Sequence, residues 1–182
     1  MFLTSRLSAA IAFASQKHDG QRRKSDGYPF IAHPFAVASI LIKYGADEST
    51  IIAGLLHDTL EDTDCSPEEL EFTFGPNVLR MVEDVSENKS LKWKDRKINY
   101  IDNLKLISQS SLMISCADKT HNLHTFLEEL ERHGESLWKK FPAGPEVTFW
   151  FFRSVHEQLK IYLDHPMVGE LSVLVEKIPG TK

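Results

Sequence analysis

The chain reads as an all-α protein, a helical bundle of about eight or more helices. Three observations predict this. Apolar residues recur at spacings of three and four along almost the whole chain, and two-residue alternation is nearly absent. Helix punctuation is frequent, with Ser, Thr or Asp ahead of apolar runs, Pro at first positions and Gly after last ones. No long linker, internal repeat or low-complexity segment interrupts the 182 residues, so 1–182 reads as a single domain.

The elements follow in order. Thr4 is a plausible N-cap for a helix to Lys17, with Leu7, Ala10, Ile11 and Ala14 on one face and Gly20 at the exit. The polar stretch "DGQRRKSDGYPFIA" reads as a loop. A second helix starts at "HP", with Pro34 at its first position, and stops at Gly45. A third follows "DEST" and runs through "LLHDTLEDT", residues 55–63. Ser66 and Glu69 form a capping box around Pro67, opening a short helix that ends near "FGP". "NVLRMVEDV" gives another. Residues 92–108 form a mixed-charge helix with Ile98, Ile101, Leu104 and Ile107 as its buried stripe. "SLMISCADKTHNLHTFLEEL" is long and well patterned. "AGPEVTFWFFRSVHEQLKIYL" is the most aromatic helix, and a last one follows Pro166.

Composition narrows the function. Apolar residues make up 42% and charged residues 26%, an ordinary globular balance. The net charge of −5 argues against general nucleic-acid binding, although a local basic patch can hold a small anion. Two cysteines, Cys65 and Cys116, make neither a disulfide framework nor a zinc pattern, which fits a reducing compartment. The N-terminal apolar stretch is broken by Arg6, Ser8, Ser15 and Gln16, so it reads as a core helix rather than a leader. No apolar run reaches membrane-spanning length, and the expectation is a cytoplasmic protein.

The third helix poses a chemical question. His57, Asp58, Glu61 and Asp62 sit in an otherwise apolar run, where unpaired charge is costly. His57 and Glu61, and Asp58 and Asp62, are each four residues apart, which stacks each pair on one strip of a helix. His33 lies at the mouth of the second helix, and Asp118 lies inside the apolar "MISCADKTHNL", with Asn122 one turn on. Taken singly these have bland readings: a cap, a chance dipeptide, a solvated loop. Together, His33, His57, Asp58 and Asp118 make a two-His, two-Asp set from three helices. Such mixed donors suit a divalent ion, Mn2+ or Fe2+, with Zn2+ possible.

The order His33, His57–Asp58, Asp118 resembles the HD phosphohydrolase superfamily. "GQRRKSDGYPFIAHPFAVASIL", "AGLLHDTLEDT" and "ADKTHNL" are similar to the hydrolase domain of the RelA/SpoT enzymes, and most to its stand-alone form, the small alarmone hydrolases. The likeness spans Leu7 to Leu130; residues 131–182 match loosely and are expected to complete the fold. It implies that His33, His57, Asp58 and Asp118 hold one Mn2+, and that Glu61 and Asp62 activate or orient water. It further implies that Arg23, Lys24 and Asn122 contact substrate, with Lys97 (and Lys89 and Arg96) in a second basic segment. The implied reaction removes the 3′-pyrophosphate of guanosine tetra- or pentaphosphate, giving GDP or GTP, without a synthetase activity. Of the two carboxylates, Glu61 is the better base, because it shares a strip with His57. The chain departs from the family at His124, where Arg is usual, and at Ser115–Cys116, where Lys-Leu is usual. The aromatic run Phe149 to Phe152 reads chiefly as core.

Two other readings stay open. The same chemistry could act on an adenosine alarmone or on the 2′-phosphate of NADPH. The fold could also serve as a non-catalytic nucleotide-binding module, although binding alone does not require Glu61 and Asp62. The partner is a small nucleotide rather than nucleic acid or membrane, and none of these motifs bears on oligomeric state.

Overall fold

The computed structural model describes residues 3–141 and 143–180. Helix α1 (Ser5–Lys17) starts where expected, with Thr4 Oγ1 accepting from the Leu7 N–H at 3.1 Å. The following loop is closed by an antiparallel bridge between Arg22 and Pro29. Helix α2 (Ala32–Lys43) begins just ahead of the predicted Pro34. Pro34 still falls in the first turn, where a missing N–H costs no intrahelical bond. Asp47 caps α3 (Glu48–Leu56) by accepting from the Thr50 N–H at 2.8 Å.

The predicted third helix then divides. After a break at His57 and Asp58 comes the single turn α4 (Thr59–Asp62). Ser66 caps α5 (Pro67–Phe74) through the Glu69 N–H, while the Glu69 carboxylate turns to Lys17 at 2.8 Å. Gly75, at φ +90°, supplies the sharp bend into α6 (Pro76–Val85). Then come α7 (Trp93–Asn103), the long α8 (Gln109–His133) capped by Ser108, a 3-10 segment (Gly134–Lys140), α9 (Gly144–Tyr162) and α10 (Val168–Glu176). Among the described residues there is no strand beyond the isolated bridge. Among the same residues no helix is long and apolar enough to cross a membrane.

Helix α3 is the axis of the bundle. Every residue from Thr50 to Leu56 is buried, because α1, α2, α6 and α8 surround it. Full burial of a side chain such as Ile51, Ile52, Leu55 or Leu56 stabilises the fold by about 1.5–3 kcal/mol. Helix α8 packs in turn against α2, α6, α9 and α10, so its middle lies deep in the core. Phe126, Trp138 and Phe149 form a ring cluster with centroids 5.2–6.0 Å apart, Phe149 meeting the other two edge to face. The aromatic run of α9 is therefore core, as its pattern predicts.

Helix α7 differs from expectation. It ends at Asn103; of the expected stripe Leu104 is buried and Ile101 and Ile107 pack against the core, whereas Ile98 is 40% exposed and Tyr100 is buried in its place. Tyr100 hydrogen-bonds Ser115 at 2.6 Å and packs on Phe151, which sets the inward face. Ile98, two residues away, lies on the far side of the helix.

Gly54 sits where α3 meets α2. A Cβ there would overlap Leu41 Cδ1 and lie 3.5 Å from Val37 Cγ1, and Leu41 is fully buried. Overpacking of this kind costs about 1–3 kcal/mol, against a helix-propensity gain of about 1 kcal/mol. Gly54→Ala is therefore expected to lower the urea midpoint; a variant as stable as the wild type would mean that the α2–α3 seam has slack.

Candidate metal centre

The break after α3 builds the centre of the site. A helix end leaves carbonyls without partners. Here His57 Nδ1–H donates to the Gly54 carbonyl at 2.8 Å, and Thr59 Oγ1 donates to the Leu56 carbonyl at 2.7 Å. The first bond fixes the ring of His57 so that Nε2 faces inward. Asp58, at φ −94° and ψ −2°, makes no cap bond with its side chain. Its Oδ2 lies 3.2 Å from His57 Nε2 and 3.5 Å from His33 Nε2.

Helix α2 brings in His33 from its first turn, with Nε2 3.1 Å from His57 Nε2. Helix α8 brings in Asp118, whose Oδ1 is 3.1 Å from His33 Nε2 and 3.8 Å from His57 Nε2. All three of His33, His57 and Asp118 are buried. One donor atom each from His33, His57 and Asp58 lies within 4.8 Å of the other two.

The electrostatics show what this donor set lacks. Burial opposes a charge on His57, but Asp58 and Asp118 outweigh it and push its pKa up to about 9. Burial likewise disfavours the Asp58 carboxylate, yet the imidazoles bring its pKa down to about 2. Burial holds His33 neutral, below its ordinary value. One proton on His57 therefore stands among two ring nitrogens and two carboxylate oxygens that converge. It cannot satisfy all four contacts, whereas a divalent cation can. The residues present fit such an ion.

A further layer surrounds these four. His33 Nδ1 is 2.8 Å from His121 Nδ1, and burial with the neighbouring His33 and Arg23 takes the His121 pKa down to about 4. A neutral His121 accepts from His33 and so fixes that ring as well. Asn122 donates to Asp118 Oδ1, and Arg23 donates to Asn122 Oδ1 at 3.1 Å. Arg23 also lies 3.3 Å from Asp26 Oδ2. Arg23 and Asn122 thus stand beside the cluster, while Lys24 is exposed on the same loop.

The match to the HD domain model covers residues 10–146 and encloses every residue named above. The chain belongs to the HD-domain family. Among curated proteins this HD-domain chain is 42% identical over 123 residues to guanosine-3′,5′-bis(diphosphate) 3′-pyrophosphohydrolase MESH1 of Danio rerio, covering 66% of this chain and 68% of that one. It is 39% identical over 126 residues to the bifunctional (p)ppGpp synthase/hydrolase SpoT of Escherichia coli K12. That match covers 66% of this chain but only 18% of SpoT. A solved structure of a metazoan SpoT orthologue, described as hydrolysing ppGpp, superposes with a TM-score of 0.81 at 29% identity, covering 96% of each chain. The likeness in fold therefore extends through the C-terminal helices, where the sequence likeness is loose.

The two acidic residues of α4 separate in this HD-domain site. Glu61 is half-buried, and its Oε1 accepts from the Glu87 N–H at 2.7 Å. Burial, partly offset by that bond and reinforced by Asp58, pushes its pKa up to about 7. Asp62 instead pairs with Lys89 Nζ at 2.5 Å on the exposed side. Lys97, expected at the substrate, lies 2.5 Å from Glu87 and 4.4 Å from the centre of the Phe151 ring.

Two residues escaped the sequence reading. Lys119 is buried with Nζ 2.5 Å from Asp118 Oδ2 and 4.6 Å from the Tyr100 ring centre. Its signal was present, since it is a charge inside an apolar run like those of the third helix. Glu87 lies in a polar loop and carried no signal.

Glu61 ties site chemistry to stability. Its folded pKa lies above its ordinary 4.5, so the stability it allows is complete below that value and is lost as pH rises through about 7. In metal-free protein, Glu61→Gln is expected to be more stable than wild type at pH 8, on the order of 2 kcal/mol, with the gap closing toward pH 4. Urea unfolding at both pH values checks this, and a pH-independent gap would contradict the assignment.

Proposed function

We propose that this chain is a divalent-metal-dependent hydrolase that removes the 3′-pyrophosphate of guanosine tetra- or pentaphosphate, leaving GDP or GTP. The observation that carries this reading is the convergence of His33, His57, Asp58 and Asp118, with the half-buried Glu61 one turn beyond. The similarity to MESH1 supplies the substrate class. We assign Mn2+ as the ion; Fe2+ or Zn2+ also suits these donors. His33, His57, Asp58 and Asp118 would hold it. When bound, the ion supplies Lewis acidity and lowers the pKa of water.

The side chains divide the remaining work. Glu61, with a pKa of about 7, takes the proton of the attacking water near neutral pH. Asp62, held by Lys89, braces α4 rather than reaching the reacting atoms. Arg23 presents a guanidinium fixed by Asp26 and Asn122, and Lys24 adds a second cation on the same loop. Together they give a tetra-anionic or more highly charged substrate a local positive field within an acidic protein. The water oxygen bonds to the phosphorus on O3′, the O3′–P bond breaks with its electron pair going to O3′, and O3′ takes up a proton from Glu61 or solvent as pyrophosphate is released. The helices beyond residue 131 complete one catalytic domain. Cys65 and Cys116, both buried and unpaired, fit our placement of the protein in the cytoplasm.

Purified protein with Mn2+ and guanosine tetraphosphate is expected to release GDP and pyrophosphate, to stop with EDTA and to recover on added Mn2+. Failure to turn over with a filled metal site would overturn the reading. Faster kcat/KM on an adenosine alarmone or NADPH would reassign the base or the phosphate. Glu61→Gln is expected to lower kcat about 10²–10⁴-fold while leaving Mn2+ affinity within a few-fold.

Metal binding has its own pH signature. His57 must give up its proton to serve as a ligand, so Mn2+ affinity should rise with pH, approaching about tenfold per unit below the His57 pKa. Calorimetric titration between pH 6 and 8, values set by the experimenter at roughly two units apart, checks this.

A further inference from the structure

We propose that Glu87 is a positioning residue for Glu61, and that Lys97 acts on turnover through Glu87 rather than by touching substrate. This rests on the reading of Glu61 as the base. The backbone N–H of Glu87 donates to Glu61 Oε1 at 2.7 Å. One carboxylate oxygen is thereby fixed, which orients the other for water. What holds Glu87 is its own side chain, only 8% exposed, with Arg96 Nε 2.7 Å from Oε2 and Lys97 Nζ 2.5 Å from Oε1.

The two cations come from α7 and Glu87 from the loop before it, so the ion pairs pin that loop to the helix. The Lys97 ammonium is also boxed by rings, 4.4 Å from the centre of Phe151 and 5.6 Å from that of Trp93. An ammonium held by a buried carboxylate and two aromatic faces is already satisfied, and moving it to a phosphate would leave Glu87 buried and short of a partner. The loop is fastened to α4 a second time, because Lys89 Nζ donates to the Glu61 carbonyl and to Asp62 Oδ1, each at 2.5 Å. Loop, α4 and α7 thus form one brace behind the base.

The charges that bear on Glu61 are Asp58, Glu87 and Lys119, with Lys89 on its carbonyl and Asp62 beside it. Two variants change the Glu87 ion pair in opposite senses. Lys97→Met leaves the Glu87 charge less compensated and should raise the Glu61 pKa. Glu87→Gln keeps the backbone N–H, removes the negative charge and should lower it. Both should reduce kcat about tenfold with KM within twofold, and Lys97→Arg should restore the wild-type values.

The experiment measures kcat and KM for guanosine tetraphosphate against pH, together with the Glu61 titration by carboxyl 13C NMR in metal-free protein. Opposite shifts in the two variants support the proposal. A tenfold rise in KM with unchanged kcat for Lys97→Met would place Lys97 on the substrate and overturn it. If the wild type turns over no guanosine tetraphosphate, the functional reading falls. The NMR titration then still decides the coupling: opposite shifts uphold it, and an unmoved Glu61 removes it. Should Lys97→Met fail to fold, the Glu87→Gln titration decides alone, a downward shift supporting and no shift refuting.

Discussion

Two carboxylates, Asp58 and Asp118, stand inside an apolar bundle and have to be neutralised there. Isolated, each would be far too costly to bury. The imidazoles of His33 and His57, the ammonium of Lys119 and the amide of Asn122 answer that need from α2, α8 and the end of α3. Because the partners come from three elements, α2, the end of α3 and α8 must meet at this point and at no other register. The apolar packing around α3 makes the meeting rigid, and the charges make it specific.

That rigidity extends outward in layers of decreasing burial. His121 fixes His33, and Asn122 links Asp118 to Arg23 on the loop between α1 and α2. On the opposite side, the loop before α7 grips α4 through Glu87 and Lys89. The site is thus flanked by two loops, one tied to Asp118 through Asn122 and the other to α4 through Glu87 and Lys89. A highly anionic nucleotide suits such a frame, since Arg23 is already aimed by Asn122 and Asp26 before any phosphate arrives.

Legibility in the sequence followed the range of the interactions. Thr4, Ser66 and Pro67 act within one turn, and the helix starts they mark stand where the local chemistry puts them. The cluster residues were legible because charge inside an apolar run needs a reason, and the resemblance ordered them. The break at His57 was not legible, since it depends on side chains turning back to the Gly54 and Leu56 carbonyls. Nor was the fate of Lys97, whose partner lies ten residues earlier in a loop without periodicity. The inward face of α7 was legible in part: Leu104 is buried and Ile101 and Ile107 pack against the core, but Tyr100, which finds Ser115 and Phe151 across the bundle, faces inward in place of Ile98.

The stop at the end of α3 has a consequence for how this chain can vary. His57 both closes the end of a helix and faces the metal site, so spacing and chemistry cannot be altered separately. The segment from Gly54 to Thr59 behaves as a fixed-length cassette: exchange of its apolar members is a matter of volume, but gain or loss of one residue would rotate His57 away from His33 and strand two carbonyls together. Sequence drift in this lineage should therefore collect in the loops before α3 and after α4, with insertions tolerated after Asp62 and excluded within the cassette.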